Sequence, residues 1–178
     1  CGDTMIWKPS SKTPLTAVAI QRIINKVMRP RGWNGVMNLL VGSSRDVGEM
    51  LIHDRRAPLI SATGSCRMGR KIGGIVSKRL GRTLLELGGN NGIIVMPDAD
   101  LDLALRAVLF GSVGTSGQRC TTTRRLFIHK SISKDLTNHL VAAYGQVKIG
   151  NPLEGDTLMG PLVDKNAVKD YNQALKII

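Results

Sequence analysis

The sequence predicts an α/β fold built around a parallel sheet, and two observations indicate it. Short apolar runs of strand length alternate with longer segments in which apolar residues recur at helical spacing. Strands that alternate with helices are typical of parallel sheets, because each helix returns the chain to the edge where the next strand begins. The 178 residues, 42% of them hydrophobic, are enough to bury a core.

Strands and helices are expected in alternating order up to residue 87, where a second strand follows directly. The expected strands are residues 4–8, 36–41, 58–61, 83–87, 92–96 and 126–129. The expected helices cover residues 14–27, 46–53, 68–80, 101–108, 136–147 and 168–178. Thr13 and Pro14 indicate the start of the first helix, since threonine is a preferred N-cap and proline suits the first helical turn. Pro30 and Gly32 indicate where that helix stops.

Two local sequence patterns predict a helix start and a domain boundary in the second half of the chain. Asp98 or Asp100 is expected to cap the helix that follows it, because an aspartate oxygen accepts a hydrogen bond from a free N–H of the first turn. The pair Gly88-Gly89 indicates a hinge or a domain boundary. The expected domains are therefore residues 1–86 and 87–178.

The chain is strongly basic, with 25 Lys and Arg against 13 Asp and Glu and a net charge of +12. Such a balance raises nucleic-acid binding as a function. The basic residues are scattered through amphipathic segments, however, and aromatic residues, which stack on single-stranded bases, make up only 3%. We therefore expect no nucleic-acid partner. An anionic cofactor or substrate accounts for part of the charge, and solvated helix faces account for the rest.

No metal centre and no membrane segment are expected. His53, His129 and His139 stand alone, and the sequence has neither a CxxC pair nor a Cys/His cluster. No apolar run approaches the roughly 18 residues of a membrane span. The three cysteines lie far apart and suggest no disulfide framework, which fits a reducing compartment. The chain begins at Cys1 rather than at methionine, and we expect it to be an internal piece of a longer protein.

Cys120 lies in a stretch of small and hydroxyl-bearing residues, GTSGQRCTTTRR, over residues 114–125. A structural cysteine prefers apolar neighbours, whereas a nucleophile needs open space, backbone N–H groups and positive charge that stabilises its thiolate. Arg119, Arg124 and Arg125 supply positive charge. The pattern favours a nucleophile, and a structural cysteine in a loop is the alternative.

A second thiol, Cys66, lies at the start of the third expected helix, where the helix dipole also favours a thiolate. The preceding Thr63-Gly64-Ser65 favours a different interpretation, because a glycine beside hydroxyl groups at a helix N-terminus can hold a phosphate. A phosphate there would oppose a thiolate at Cys66. We therefore expect an anion-binding turn at Gly64 and Ser65 rather than a second nucleophile.

Two charged residues end expected strands. Glu86 precedes Gly88-Gly89, and a carboxylate beside such small residues can reach a water and act as a general base. Lys8 ends the first strand, at the edge where open α/β sheets bind ligands. An ordinary surface glutamate and a solvated lysine are the alternatives at these positions.

Five motifs together resemble one family. They are WKPSSKTPL (residues 7–15), ATGS with a following glycine (62–69), LELGGN (85–90), GQRC (117–120) and NP followed by MGPL (151–162). In this order and spacing they resemble the NAD(P)-dependent aldehyde dehydrogenases over the whole chain. LELGGNN and VGTSGQRCTTTRRLFIH are most similar to the antiquitin branch, the α-aminoadipic semialdehyde dehydrogenases of lysine degradation.

The resemblance implies an aldehyde dehydrogenase-like α/β fold. Residues 1–86 would form the later part of a Rossmann-like NAD-binding domain, and residues 87–178 the first part of an α/β catalytic domain. It also implies that the Cys120 thiolate attacks an aldehyde, that the Cys120 N–H helps to hold the resulting oxyanion, and that Glu86 activates water to hydrolyse a thioester.

For the cofactor, the resemblance implies that Lys8 contacts the adenosine ribose, that Gly64 and Ser65 contact the pyrophosphate, and that Leu87 borders the same site. Ser11 stands where NAD-preferring members often carry a glutamate. NAD is therefore expected, and NADP stays an alternative.

Further departures and expectations follow from the same resemblance. Ala62 and Cys66 stand where phenylalanine and threonine are usual. The family's oxyanion-hole asparagine is expected upstream of this segment, and the glutamate that holds the nicotinamide ribose downstream. A homo-oligomer, a tetramer by the family's pattern, is expected in the cytoplasm or the mitochondrial matrix.

The substrate hypothesis concerns Arg119, whose planar guanidinium can bind a carboxylate through two hydrogen bonds. It would pair with the carboxylate of an amino-acid semialdehyde; the alternative is that Arg119 only influences the thiol or faces solvent. Two other functions are kept open: an acyl-CoA-forming semialdehyde dehydrogenase, which needs no general base, and a non-catalytic basic binding or structural domain.

Overall fold

The computed structural model describes residues 2–177, so Cys1 and Ile178 lie outside the described residues. Strands and helices alternate along this range, except that the fourth strand is followed directly by the fifth and the fifth α-helix by the sixth. The strands are β1 (Met5–Trp7), β2 (Met37–Leu39), β3 (Leu59–Gly64), β4 (Arg82–Leu87), β5 (Asn91–Val95) and β6 (Thr123–Ile128). The α-helices are α1 (Pro14–Met28), α2 (Glu49–His53), α3 (Cys66–Lys78), α4 (Leu101–Val113), α5 (Ser133–Gly145) and α6 (Lys165–Ala174).

The strands pair two by two, β1 with β2, β3 with β4, and β5 with β6. The β1–β2 and β5–β6 pairs are parallel, so the expected parallel pairing is confirmed for both. In the β5–β6 pair Asn91 lies opposite Thr123 and Gly92 opposite Arg125. Arg124 is therefore an extra residue in β6, and such an insertion bends a strand locally.

The start of α1 agrees with the expectation in its position but not in its cap. The helix begins at Pro14, yet the Thr13 hydroxyl makes no cap hydrogen bond. Its ψ of 47° departs from the extended geometry that aims an N-cap oxygen at the first turn. After Met28 a single 3₁₀ turn follows, and Gly32, at φ 73°, ends the helical segment in the left-handed region that glycine tolerates.

Two other helices begin with working caps. Ser65 accepts a hydrogen bond from the Met68 N–H, and α3 therefore begins at Cys66, two residues earlier than expected. Asp100, one of the two expected caps, accepts a hydrogen bond from the Leu103 N–H at the start of α4. Each cap satisfies an N–H that has no partner within its helix.

The chain divides into two compact units, Cys1–Glu86 and Leu87–Ile178, and each has its own core. The core of the first unit comprises the buried residues Ile52, Ile72 and Val76. The core of the second comprises Val95, Val108, Leu136 and Leu140, with Leu101, Ala104 and Leu105 of the predicted α4 stripe packed against it. The assignment of the two units to cofactor binding and catalysis stays a prediction.

The last helix differs from the others in its packing. Its apolar residues Val168 and Tyr171, and Leu175 just after it, are all exposed. Ile178, the last residue of that expected apolar stripe, lies outside the described residues. Within residues 2–177, no helix has the length and apolar character needed to cross a membrane.

The α5 core offers a test of the packing. Leu136 is 1% exposed, and Leu136→Ala should lower the free energy of unfolding by about 2–5 kcal/mol, because it removes buried methyl groups and leaves a cavity. Leu103→Ala makes the same chemical change at a residue that is 62% exposed, and should cost less than about 1 kcal/mol. Urea unfolding followed by circular dichroism measures both. Equal losses for the two variants would contradict the assignment of Leu136 to the core.

Candidate active site

Cys120 lies in a four-residue turn, residues 119–122, that we call the nucleophile turn. The turn is closed twice: the Thr122 N–H donates to the Arg119 carbonyl at 3.2 Å, and the Arg119 N–H donates to Thr122 Oγ1 at 3.1 Å. Thr122 is buried, whereas Cys120 is exposed. The turn therefore anchors one end in the protein and holds the thiol at an open corner.

The approach to this turn is conformationally unusual. Three consecutive residues after α4, Thr115, Ser116 and Gly117, have φ values of 55°, 54° and 69°. Only glycine adopts this left-handed region freely, and each of the other two costs roughly 1–2 kcal/mol. Side-chain hydrogen bonds hold the segment, because Gln118 Nε2 donates to the Thr115 carbonyl at 3.1 Å.

Residues 160–163 brace the same segment from a distant part of the sequence. Ser116 Oγ donates to the Gly160 carbonyl at 2.6 Å, and the Val163 N–H donates to Gln118 Oε1 at 3.0 Å. The structure therefore joins residues 116–118 to residues 160–163, which overlap the GQRC and MGPL motifs. The sequence alone indicates no physical role for MGPL, since hydrogen bonds between a side chain and a distant backbone leave no periodic signal.

Asn91, at the start of β5, contacts the nucleophile turn directly. Its Nδ2 donates to the Cys120 carbonyl at 2.6 Å and to the Thr122 carbonyl at 3.2 Å. A Cβ on Gly89 would lie 3.2 Å from the Cys120 carbonyl oxygen and 3.0 Å from Asn91 Oδ1. Gly89, expected as part of a hinge, is thus a point of close backbone approach. No pattern in the sequence singled out Asn91.

The backbone N–H of Cys120 is directed to no protein acceptor among residues 2–177. An amide N–H next to a nucleophilic sulfur is a donor for the negative charge that develops when a carbonyl is attacked. The turn can therefore present both the attacking sulfur and a donor for the resulting oxyanion.

Two of the three nearby arginines are bound to backbone carbonyls. Arg119 Nη2 donates to the Phe110 carbonyl at 3.0 Å, and its Cζ lies 4.9 Å from the centre of the Phe110 ring. Arg125 donates through Nε and Nη2 to the Asn90 carbonyl, at 3.1 and 2.7 Å. These contacts give both side chains a structural role that their sequence positions did not indicate.

Arg119 also lines a cavity of about 360 Å³ in the second unit. The cavity is lined by apolar and small residues together with two arginines: Leu109, Phe110, Val113, Gly114, Thr115, Leu158, Arg106 and Arg119. Arg119 Nε is buried and has no hydrogen-bond partner among the described residues. A ligand in the cavity cannot reach this enclosed nitrogen, and Nη2 of the same side chain donates to the Phe110 carbonyl.

The predicted cofactor residues lie at the ends of strands or at helix starts. Lys8 directly follows β1, and its Nζ donates to the Pro9 carbonyl at 2.6 Å. Gly64 ends β3, and a Cβ there would lie 2.4 Å from Cε of Met68, the flexible end of a side chain that packs over this turn. Ser65 Oγ accepts from the Met68 N–H and keeps its own hydrogen for a ligand.

These residues fit the anionic part of a dinucleotide. A helix N-terminus offers backbone N–H groups and a positive dipole end, and α3 is long enough, at 13 residues, to present both. Arg67 and Arg70 add positive charge in its first turns. This donor set suits a diphosphate group.

The predicted residues Glu86 and Leu87 lie where the first unit ends and the second begins along the chain. Glu86 is exposed and Leu87 half-buried at the end of β4. Lys8, Gly64, Ser65 and Glu86 belong to the first unit, whereas Leu87, Arg119 and Cys120 belong to the second. Cys66, the rival thiol, is exposed like Cys120, so exposure alone does not distinguish them.

Comparison with known proteins shows close relatives. The aldehyde dehydrogenase family profile matches residues 1–178. A Dictyostelium discoideum homologue of aldehyde dehydrogenase family 7 member A1 is 49% identical over 179 residues, covering 100% of this chain and 35% of the relative. The alpha-aminoadipic semialdehyde dehydrogenase of Bos taurus is 44% identical over 176 residues, covering 99% and 33%. This chain thus spans about a third of the length of these relatives.

Solved structures show the same likeness. Escherichia coli lactaldehyde dehydrogenase superposes with a TM-score of 0.92 at 36% identity, covering 98% of this chain and 36% of that one. Methanocaldococcus jannaschii glyceraldehyde-3-phosphate dehydrogenase, complexed with NADP, gives 0.94 at 31%, covering 98% and 38%. Staphylococcus aureus betaine aldehyde dehydrogenase, in complex with NAD⁺, gives 0.88 at 30%, covering 98% and 34%. With its α/β fold and a family match along its whole length, this chain belongs to the aldehyde dehydrogenase family.

Proposed function

We propose that this chain carries the nucleophile and the general base of an enzyme that oxidises an aldehyde to a carboxylate through a thioester on Cys120. The observation that carries the proposal is the nucleophile turn itself. It holds an exposed thiol at its corner and leaves the adjacent N–H without a protein acceptor among the described residues.

The chemistry follows from these groups. The Cys120 thiolate adds to the aldehyde carbon, and the Cys120 N–H stabilises the oxyanion that forms. A nicotinamide cofactor supplies the hydride acceptor when bound, and loss of hydride from the substrate carbon leaves an acyl group on sulfur. Glu86 then takes a proton from water, whose oxygen attacks the acyl carbon. The C–S bond breaks, and the thiolate and a carboxylic acid are released.

For the cofactor we propose NAD, held by the diphosphate-binding turn at Gly64 and Ser65, with Lys8 at the adenosine ribose and Leu87 bordering the site. The donor set at the start of α3 supports a dinucleotide of either kind. The resemblance of the motifs to the antiquitin branch favours NAD, and NADP, with which one similar solved structure is complexed, is the alternative.

For the substrate we propose an amino-acid semialdehyde such as α-aminoadipic semialdehyde. The cavity beside Arg119 combines apolar walls with two guanidinium groups, which suits an aliphatic chain that ends in a carboxylate. The name of the Bos taurus relative points to the same substrate class.

The nucleophile is tested by Cys120→Ser in the full-length protein. Aldehyde oxidation should fall by about a thousandfold or more, because a serine hydroxyl is hardly ionised and no base is assigned to activate it. Cofactor binding, measured by fluorescence titration, should stay within a fewfold of wild type. Cys66→Ser is the matched control and should retain activity, and iodoacetamide should label Cys120 before Cys66. Near-normal turnover by Cys120→Ser would overturn the proposed mechanism.

Glu86→Gln separates the two chemical steps. Glutamine keeps the shape of the side chain but cannot accept the proton, so hydride transfer should survive while thioester hydrolysis fails. Stopped-flow absorbance should therefore show a burst of reduced cofactor followed by a slow steady state. Loss of the burst would assign Glu86 to the first step or to the fold. Full steady-state turnover that depends on added coenzyme A would favour the acyl-CoA-forming alternative.

Arg119→Met tests substrate recognition. A charge-assisted hydrogen bond contributes about 1.5–3 kcal/mol, so kcat/KM for α-aminoadipic semialdehyde should fall about ten- to a hundredfold. Hexanal, which has no carboxylate, serves as the internal control and should be oxidised nearly as well as by wild type. Equal losses on both substrates would mean that Arg119 acts through its contact with Phe110 rather than on the substrate.

A further inference from the structure

We propose that Asn91 is a positioning residue for the nucleophile. Its side-chain amide fixes the backbone of the nucleophile turn, so that the Cys120 sulfur and N–H stay directed at the same substrate carbonyl. The inference rests on the proposed role of Cys120 and adds a residue that sequence analysis did not single out.

The geometry of the amide is the first support. Asn91 Nδ2 lies 2.6 Å from the Cys120 carbonyl oxygen and 3.2 Å from that of Thr122. An amide nitrogen carries two hydrogens, so both bonds form at the same time. One side chain therefore ties together two carbonyls on either side of residue 121.

The hydrogen bonds inside the turn leave the Cys120 backbone unrestrained, and the Asn91 amide restrains it. The two hydrogen bonds between Arg119 and Thr122 close the loop but engage neither polar group of the Cys120 backbone. Displacement of the Cys120 carbonyl also displaces the Cα to which its N–H group and Cβ are attached, and so moves the donor and the sulfur together. Among the described residues, Asn91 is the group that donates to the Cys120 carbonyl and so opposes this displacement.

The position of Asn91 in the sheet makes its restraint on the nucleophile turn rigid. Asn91 begins β5 and pairs with Thr123, the first residue of β6 and the first after the turn. Gly89 keeps the space around the amide open, because a Cβ there would lie 3.0 Å from Asn91 Oδ1 and 3.2 Å from the Cys120 carbonyl oxygen. The amide, the turn and the first pair of the sheet therefore form one local unit.

Exposure argues for positioning rather than for stability. Asn91 is an exposed residue, and hydrogen bonds that water can replace contribute little to the free energy of folding. Orientation matters far more to a reaction, because displacement of a reacting group by about 1 Å can cost about a hundredfold in rate.

The test is Asn91→Asp in the full-length protein. Aspartate has nearly the same shape, but its ionised carboxylate only accepts hydrogen bonds and repels both carbonyls. Asn90→Asp is the matched control: it makes the same change one residue earlier, at a side chain with no hydrogen bond among the described residues. Asn91→Ala, which removes the donor without adding charge, covers the case in which Asn91→Asp does not fold.

We expect the hydride-transfer burst and kcat to fall about ten- to a hundredfold in Asn91→Asp and Asn91→Ala, while KM and NAD affinity stay within about threefold. A second readout needs no catalysis. The preference of iodoacetamide for Cys120 over Cys66, followed by mass spectrometry from pH 6 to 10, should fall in both Asn91 variants and stay unchanged in Asn90→Asp.

Three results would overturn the inference: wild-type burst rates and labelling in both Asn91 variants, an equal loss in Asn90→Asp, or a loss of kcat matched by a loss of NAD affinity and melting temperature. The last would show a purely structural role. A wild-type protein that neither oxidises aldehydes nor labels selectively at Cys120 would instead refute the proposed function, so the two failures are distinguishable.

Discussion

The connection between α4 and β6 must lead the chain out of a helix and into a strand within residues 114–122, and it must leave a thiol in the open. So short a segment has few backbone conformations that meet both requirements. The left-handed run at Thr115, Ser116 and Gly117 turns the chain, and the buried Thr122 anchors it before β6. The hydrogen bonds around this segment serve the same constraint, because a loop with two residues in a strained conformation relaxes unless its neighbours hold it.

Some of the basic side chains have a structural role that the composition did not reveal. Several arginines donate to backbone carbonyls: Arg79 to Ile52 and Ala57, Arg119 to Phe110, and Arg125 to Asn90. A guanidinium has five N–H donors in a fixed plane, so it can satisfy carbonyls at the ends of helices and strands that water would otherwise solvate. Part of the net charge of +12 therefore supports the fold itself.

The order of strands and helices could be predicted from the sequence because it depends on local periodicity. Leu101, Ala104, Leu105 and Val108 form a stripe that the core of the second unit confirms. The exposed position of Cys120 also agrees with the small residues around it. By contrast, the amide of Asn91 and the partner of Arg119 depend on where distant backbone atoms lie, and no spacing of residue types encodes that. Thr13 shows the limit of local rules, since a preferred cap residue there makes no cap.

The two hydrogen bonds between residues 116–118 and residues 160–163 each join a side chain to a backbone atom, and this asymmetry matters for how the sequence can diverge. Ser116 and Gln118 supply the side chains, whereas Gly160 and Val163 supply a carbonyl and an N–H that are part of every ordinary peptide unit. Selection on these two bonds therefore acts on the identity of residues 116 and 118. At position 163 it excludes only proline, which lacks the N–H, so that site is free to drift among the other amino acids without releasing the loop that holds the thiol.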